Sequence, residues 1–309
     1  MGLSFLTAHR LVAGGRAKPT PPIRRLTASQ KMPFGHFRQP PAVSHKHEER
    51  PTMNKAIIIG ATSGIGKELA MLLVRDGFKV GITGRRENLL NELHSLYPDQ
   101  FIKKSFDISL ANNSIELSEL VRELGGLDLL ILSSGTGDLN AGLDFEIEKK
   151  TIDTNAIGFT EIIDWSYKYF QKQKYGHIVA ISSIAGLRGS RHAPSYNATK
   201  AYQINYLEGI RQKAYKQKLL IYVTDVRPGF VDTDMAKGEV KFWVASQGKA
   251  ANQIYSLIKR KKSVGYITKR WKILALILKL LPIGWSRKKF EKAIVCHSCA
   301  SRNPVFSCS

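Results

Sequence analysis

"KAIIIGATSGIG", Lys55 to Gly66, is the stretch on which the fold turns. Its first half is a short unbroken apolar run with three consecutive isoleucines, the pattern of a strand buried on both faces. Its second half is a glycine-rich turn, after which Ile65, Leu69, Leu72 and Leu73 recur at helical spacing as far as Asp76. Gly60 permits a tight turn, Gly64 lets a phosphate-bearing ligand approach the backbone, and Gly66 allows close packing of helix on strand. Thr62, Ser63 and Ile65 complete the loop, and the helix N-terminus faces the anion. The spacing is Gly-x-x-x-Gly-x-Gly rather than the commoner Gly-x-Gly-x-x-Gly. Such turns also occur without a ligand, so this one establishes topology before function.

Working outward, strands and helices alternate. "FKVGITG" reads as a second strand, "RENLLNELHSLY" as a helix, "FIKKSFDI" as a third strand and "SIELSELVRELG" as a helix. "LDLLILSSG", "GHIVAISS" and "LLIYVTDVRPG" continue the strands, with helical runs at 152–170 and 196–217 and a last strand in "SVGYIT". This alternation predicts an α/β fold, a doubly wound parallel sheet of Rossmann type between two helical layers, over residues 53–268.

The formal charge of +22 sits at the ends. Residues 1–52 carry a net +7, residues 259–292 a net +11, and the 206 residues between them only +3. The first 52 residues are rich in Pro, Arg, Ser and Thr, have no acid before Glu48 and show no apolar period. They are expected to be a disordered or non-native leader; an organellar transit peptide is the alternative. Cys296, Cys299 and Cys308 all fall in a tail, 293–309, so the domain has no disulfides and suits a reducing, cytoplasmic setting. One Cys-x-x-Cys without a second pair is a weak zinc signal where four ligands are needed, and no metal is expected.

In "SYNATKAYQ", Tyr196 and Lys200 are one helical turn apart, so a phenol and an ammonium can share one face. Taken in order, "GATSGIG", Asp107, Asn155 in "TIDTNAIGF", Ser183 in "ISSIAG", "YNATK" and "RPGFVDT" resemble the short-chain dehydrogenase/reductase family, over roughly Met53 to Thr268. The resemblance implies that Tyr196 is the general acid/base and Lys200 both favours its phenolate and holds the nicotinamide ribose. It also implies that Ser183 hydrogen-bonds the substrate oxygen and Asn155 holds a water linking Lys200 to solvent. Ser182, on the other side of the strand, is expected to be structural. Asp107 and Ile108 fall near the adenine by resemblance, with a helix cap as the alternative for Asp107. Pro228, Gly229 and Thr233 complete the implied cofactor contacts. One departure stands out: Leu132-Ser133-Ser134-Gly135 replaces the family's Asn-Asn-Ala-Gly.

The second strand ends "ITGRR" without an acid to receive a ribose 2′-hydroxyl, so Arg85, with Arg86, favours the 2′-phosphate of NADP(H) over NAD(H), unless the two arginines merely open a solvated helix. The substrate class implied is a carbonyl or secondary alcohol, and the family often forms homo-oligomers. Met235, Phe242 and Trp243 suggest an apolar lid; Arg188, Arg191 and His192 either meet an anionic substrate or are solvated. The segment 269–292, with Trp271, Trp285 and basic flanks, is either a helix lying in a membrane surface or one packed on the domain or across a dimer interface. Charge alone would also allow a non-catalytic binder of membrane or nucleic acid, but binding needs none of Asn155, Ser183, Tyr196 and Lys200, and nucleic acid is disfavoured. A family epimerase or dehydratase with tightly held NAD is the other enzymatic alternative.

Overall fold

The computed structural model describes residues 54–232 and 243–280, with the side chain of Lys279 excepted. The leader, Thr233, Met235, Phe242, Trp285 and the cysteine tail lie outside the described residues. Seven strands form one parallel sheet: β1 Lys55–Ile59, β2 Lys79–Gly84, β3 Phe101–Ser105, β4 Leu129–Leu132, β5 Tyr175–Ile181, β6 Leu220–Pro228 and β7 Val264–Ile267. Their spatial order is β3-β2-β1-β4-β5-β6-β7. The order reverses between β1 and β4, and ligands of such sheets bind beyond the strand ends at that crevice. Register is in step across it, with Ile57 facing Gly81 on one side and Leu130 on the other.

Helices cover both faces, as the unbroken apolar strands require. Ala56 and Ile58 of β1 point to α1 (Gly64–Arg75), α2 (Glu87–Leu96) and α7 (Gln247–Lys259) through Leu69, Leu73, Leu90, Leu93 and Ile254. Ile57 and Ile59 point the other way, to α3 (Asn113–Leu124), α5 (Phe159–Gln173) and α6 (Pro194–Lys216) through Leu117, Leu120, Ile162, Phe170 and Leu207. Each such side chain, removed from water, contributes about 1.5–3 kcal/mol against the entropy of ordering the chain. The doubly wound sheet is therefore as the strand pattern implies.

Two helices are absent from the sequence reading. α4, Phe145–Ile152, buries only Thr151, so it has no apolar stripe to detect; it is started by the Asp144 carboxylate, which accepts from the Glu146 amide at 2.9 Å. α7 presents Ala250 and Ala251 beside Ile254 and Ile258, a face too small in its first turn to stand out. The expected helix from residue 152 is in fact a helical column in three parts: α4, a π-helical turn Asp153–Gly158, then α5. α8, Lys269–Leu280, follows β7 and packs on the short 3₁₀ turn Ile184–Leu187 through Trp271, Ala275 and Leu278.

Candidate active site

The glycine turn after β1 is as tight as its sequence requires. Gly60 has φ +89°, and a Cβ there would meet the Ser134 hydroxyl oxygen at 2.5 Å. A Cβ on Gly66 would lie 2.0 Å from the Gly60 carbonyl oxygen, so α1 can approach β1 only with glycine here. Ser133 and Ser134, the departure after β4, anchor that strand end by donating their backbone amides to the Ile59 carbonyl at 2.8 and 2.9 Å. The side chain of the usual asparagine is thus not needed for this backbone junction.

A cleft of about 500 Å³ opens at the C-terminal edge of the sheet, over β1 and β4. Gly60, Thr62, Ser63, Gly64 and Ile65 form one end; Arg85, Arg86, Asp107 and Ile108 form its side. Ser183, Tyr196 and Lys200 stand together at the other end, with Pro228 and Gly229. The first turn of α1 carries no acid, which leaves its exposed amides to an anion. Gly66 and Asn155 do not touch the cleft: Gly66 packs against the turn, and Asn155 is fully buried behind it.

Tyr196 is in the first turn of α6, started by Pro194, and Lys200 is one turn on. The Lys200 Nζ lies 5.8 Å from the Tyr196 ring centroid. Although only 4% exposed, the ammonium donates to the Ile181 carbonyl at 3.1 Å and to Gln203 Oε1 at 3.0 Å. Burial of that charge is tolerable because acceptors surround it. Ser183 Oγ accepts from the Ala185 amide at 3.1 Å, capping the 3₁₀ turn. Its own hydrogen remains to be donated into the cleft. Ser182 also borders the cleft, but its hydroxyl donates to the Asp225 carboxylate, which is held in turn by Arg227 Nε at 2.6 Å. The structural role expected for Ser182 is what its contacts describe.

The surroundings of Asn155 and Asp107 add contacts that the sequence does not show. Asn155 is clamped to the loop following β4: its Oδ1 accepts from the Thr136 amide at 2.9 Å and its Nδ2 donates to the Thr136 carbonyl at 2.6 Å. Within the fold Asn155 is also linked to Lys200: its carbonyl accepts from Gln203 Nε2 at 2.8 Å, and the same amide's Oε1 faces Lys200. The link is a side chain. Gln203 is three residues beyond Lys200 on α6, so the spacing that pairs Tyr196 with Lys200 also pairs Lys200 with Gln203.

Asp107 is not a helix cap, because α3 begins six residues later. Its Oδ1 accepts from the Ser109 amide and hydroxyl at 2.9 and 2.8 Å, and its Oδ2 from Arg85 Nη1 at 3.4 Å. Burial pushes this carboxyl up, but the Ser109 bonds and Arg85 outweigh it and hold it below its ordinary value. Arg86 Nη2 reaches Thr62 Oγ1 at 2.8 Å and Ser63 Oγ at 2.7 Å, so the two arginines bridge the glycine turn and the Asp107 loop.

Arg188, Arg191 and His192 do not line the cleft. Arg188 Nε donates to the Leu278 carbonyl at 2.8 Å, tying down the end of α8, and Arg191 Nε donates to His192 Nε2 at 3.0 Å. Trp271 of α8 does line it, forming an apolar wall with Phe230, whose ring meets it edge-on at 5.1 Å. Trp243 packs on the outer side of Trp271 at 5.8 Å. Among the described residues no group of three or more His, Cys, Asp or Glu could hold a metal ion.

A parallel sheet whose switch-point cleft joins a glycine turn to a serine, a tyrosine and a lysine matches the family model for short chain dehydrogenases over residues 54–242. The chain belongs to the short-chain dehydrogenase family. Relatives of this dehydrogenase include an uncharacterized oxidoreductase of Staphylococcus epidermidis, 29% identical over 188 residues, which are 59% of this chain and 80% of that protein. Another, from Myxococcus xanthus, is 31% identical over 186 residues, 58% of this chain and 73% of that protein. Among solved structures, a short chain dehydrogenase/reductase from Burkholderia phymatum in complex with NAD superposes with a TM-score of 0.66 at 17% identity, over 72% of this chain and 92% of that one. A short chain dehydrogenase from Bacillus anthracis gives 0.62 at 19% identity, over 69% and 93%. At these identities the structures attest the Rossmann-type fold.

Proposed function

We propose that this dehydrogenase is an NADP(H)-dependent oxidoreductase that reduces a carbonyl, or oxidises the corresponding secondary alcohol, with Tyr196 as general acid/base. The observation that carries the reading is that Ser183, Tyr196 and Lys200 line the same cleft as the anion-seeking N-terminus of α1. The cleft fits a dinucleotide, because the Gly60 turn and the acid-free start of α1 suit a pyrophosphate and the wall at Asp107 and Ile108 suits an adenine. Arg85 is the group proposed for the 2′-phosphate: its side chain is 61% exposed and its ion pair with Asp107 is long, so it can turn to a phosphate cheaply.

Bound in this cleft, the reduced nicotinamide supplies the hydride. Ser183 would donate its free hydroxyl hydrogen to the substrate oxygen, stabilising charge as it builds there. Tyr196 would deliver the proton that turns this oxygen into a hydroxyl, and the buried Lys200 ammonium would favour the phenolate left behind. Asn155 and Gln203 would act one layer back, fixing the Thr136 loop and the ammonium respectively.

A panel of aldehydes, ketones and secondary alcohols, assayed with both nicotinamides, tests the reading. Tyr196→Phe should lower turnover roughly 10²–10⁴-fold while cofactor affinity stays nearly intact. Retention of most of the rate would mean that the proton comes from elsewhere. Arg85→Glu should reverse a preference for NADPH over NADH; a wild-type enzyme that prefers NADH would remove the role given to Arg85.

A further inference from the structure

α8 has two apolar faces. Trp271, Ala275 and Leu278 are 2%, 1% and 3% exposed, packed on Ile184. Ile273, Leu276, Ile277 and Leu280 are 67%, 61%, 42% and 75% exposed. At about 100° per residue the second group falls within an arc of roughly 100°, on the side opposite the first. Four neighbouring large aliphatic side chains on one exposed arc are more than a scatter of surface hydrophobics, and patches of this kind mark interaction sites.

The charge around the arc says what meets it. Lys269 and Arg270, both exposed, lie on the same side at the first turn, and exposed Lys272 borders it. α8 itself carries Lys269, Arg270, Lys272 and Lys279 and no Asp or Glu. A second copy of the chain would bring two such segments together with no acid from either to offset them. An anionic surface meets no such penalty. The aliphatic arc spans about 10 Å along the axis, the length of a helix that lies in a surface and not of one that crosses it. No described helix is long and apolar enough to cross a membrane.

We propose that α8 is an interfacial helix that seats the protein on an anionic lipid bilayer. Ile273, Leu276, Ile277 and Leu280 enter the boundary of the acyl chains, and Lys269, Arg270 and Lys272 meet headgroup phosphates. The opposite side of the helix carries Trp271, which lines the cleft, so the membrane face and the apolar wall of the cleft are two sides of one element. The proposal is independent of the hydride chemistry.

Flotation of the full chain with vesicles tests it. The protein should rise with phosphatidylcholine vesicles containing phosphatidylserine, remain below with phosphatidylcholine alone, and be partly released by salt. Leu276→Gln removes apolar contact from an exposed position without adding charge, and should weaken partitioning at least about tenfold with an unchanged melting temperature. Lys269→Gln and Arg270→Gln should each weaken it about fivefold. An intact protein that ignores anionic vesicles, or a Leu276→Gln variant that floats as well as its parent, overturns the proposal. So does a dimer in solution that Leu276→Gln splits while neither protein floats, which would assign the arc to a second copy.

Discussion

His177, the third residue of β5, is fully buried, and its protonation state can be read from its neighbours. Its Nε2 lies 2.8 Å from Thr224 Oγ1, and that hydroxyl gives its single hydrogen to the Lys262 carbonyl at 2.6 Å. Thr224 therefore accepts from His177, which fixes the Nε2–H tautomer and leaves Nδ1 a lone pair with no hydrogen-bond partner. A second proton would have to occupy Nδ1, in a place that offers it no acceptor. Burial, with a smaller push from Lys261, drives the pKa from 6.5 down to about 3.

A depressed folded value means that, below about pH 6.5, the unfolded chain takes up a proton that the folded chain refuses. The contribution to stability is fully present above the unfolded value, and is lost as pH falls from about 6.5 to about 3. At about pH 5 the loss is about 2 kcal/mol, from 1.36 kcal/mol per unit. His177→Gln can still donate to Thr224 but cannot titrate. Urea unfolding of both proteins at about pH 7.5 and about pH 5 should show the parent losing about 2 kcal/mol more than the variant, whatever their difference at the higher pH. Carboxylates common to both cancel in the comparison. Parallel losses would mean that His177 takes its proton without penalty, and the buried neutral tautomer would be wrong.

A Cβ on Gly137 would lie 2.2 Å from the Tyr196 ring, so Gly137→Ala should displace the phenol and lower turnover about a hundredfold, for a stability cost of about 1–3 kcal/mol; wild-type turnover would show that the ring position does not matter. Gln203→Leu leaves the Asn155 carbonyl and the Lys200 ammonium each short of a buried partner and should cost about 1–3 kcal/mol per group, with weaker cofactor binding. Denaturation midpoints and cofactor titrations equal to the parent's would show that the amide link carries no energy.

The strand–helix alternation was legible because parallel strands must be apolar on both faces, and "KAIIIG", "LDLLILSSG" and "GHIVAISS" are. α4 was not, since a helix that buries only a threonine leaves no period in the sequence. Tyr196, Lys200 and Ser183 could be placed in one site because their spacing is local and their order matches the family. The partner that reaches Asn155 across 48 positions, Gln203, could not: its significance depends on how the π-helical turn presents the Asn155 carbonyl to α6. Trp271 presented the same difficulty. One composition serves a helix on a membrane and a helix on a domain, and only the packing shows that Trp271 lies against the domain while the opposite side of the helix is exposed.

A carboxamide holds charge well and conducts protons badly. Gln203 turns its NH₂ end to the Asn155 carbonyl and its oxygen to Lys200, and to relay a proton between them it would have to pass through its imidic acid form. Gln203 is 1% exposed and Asn155 fully buried, so this amide bridge lies beneath the site, away from bulk solvent. On the proposed chemistry, Gln203 is therefore a brace for the ammonium and not a path: the proton that Tyr196 surrenders is not resupplied through this amide.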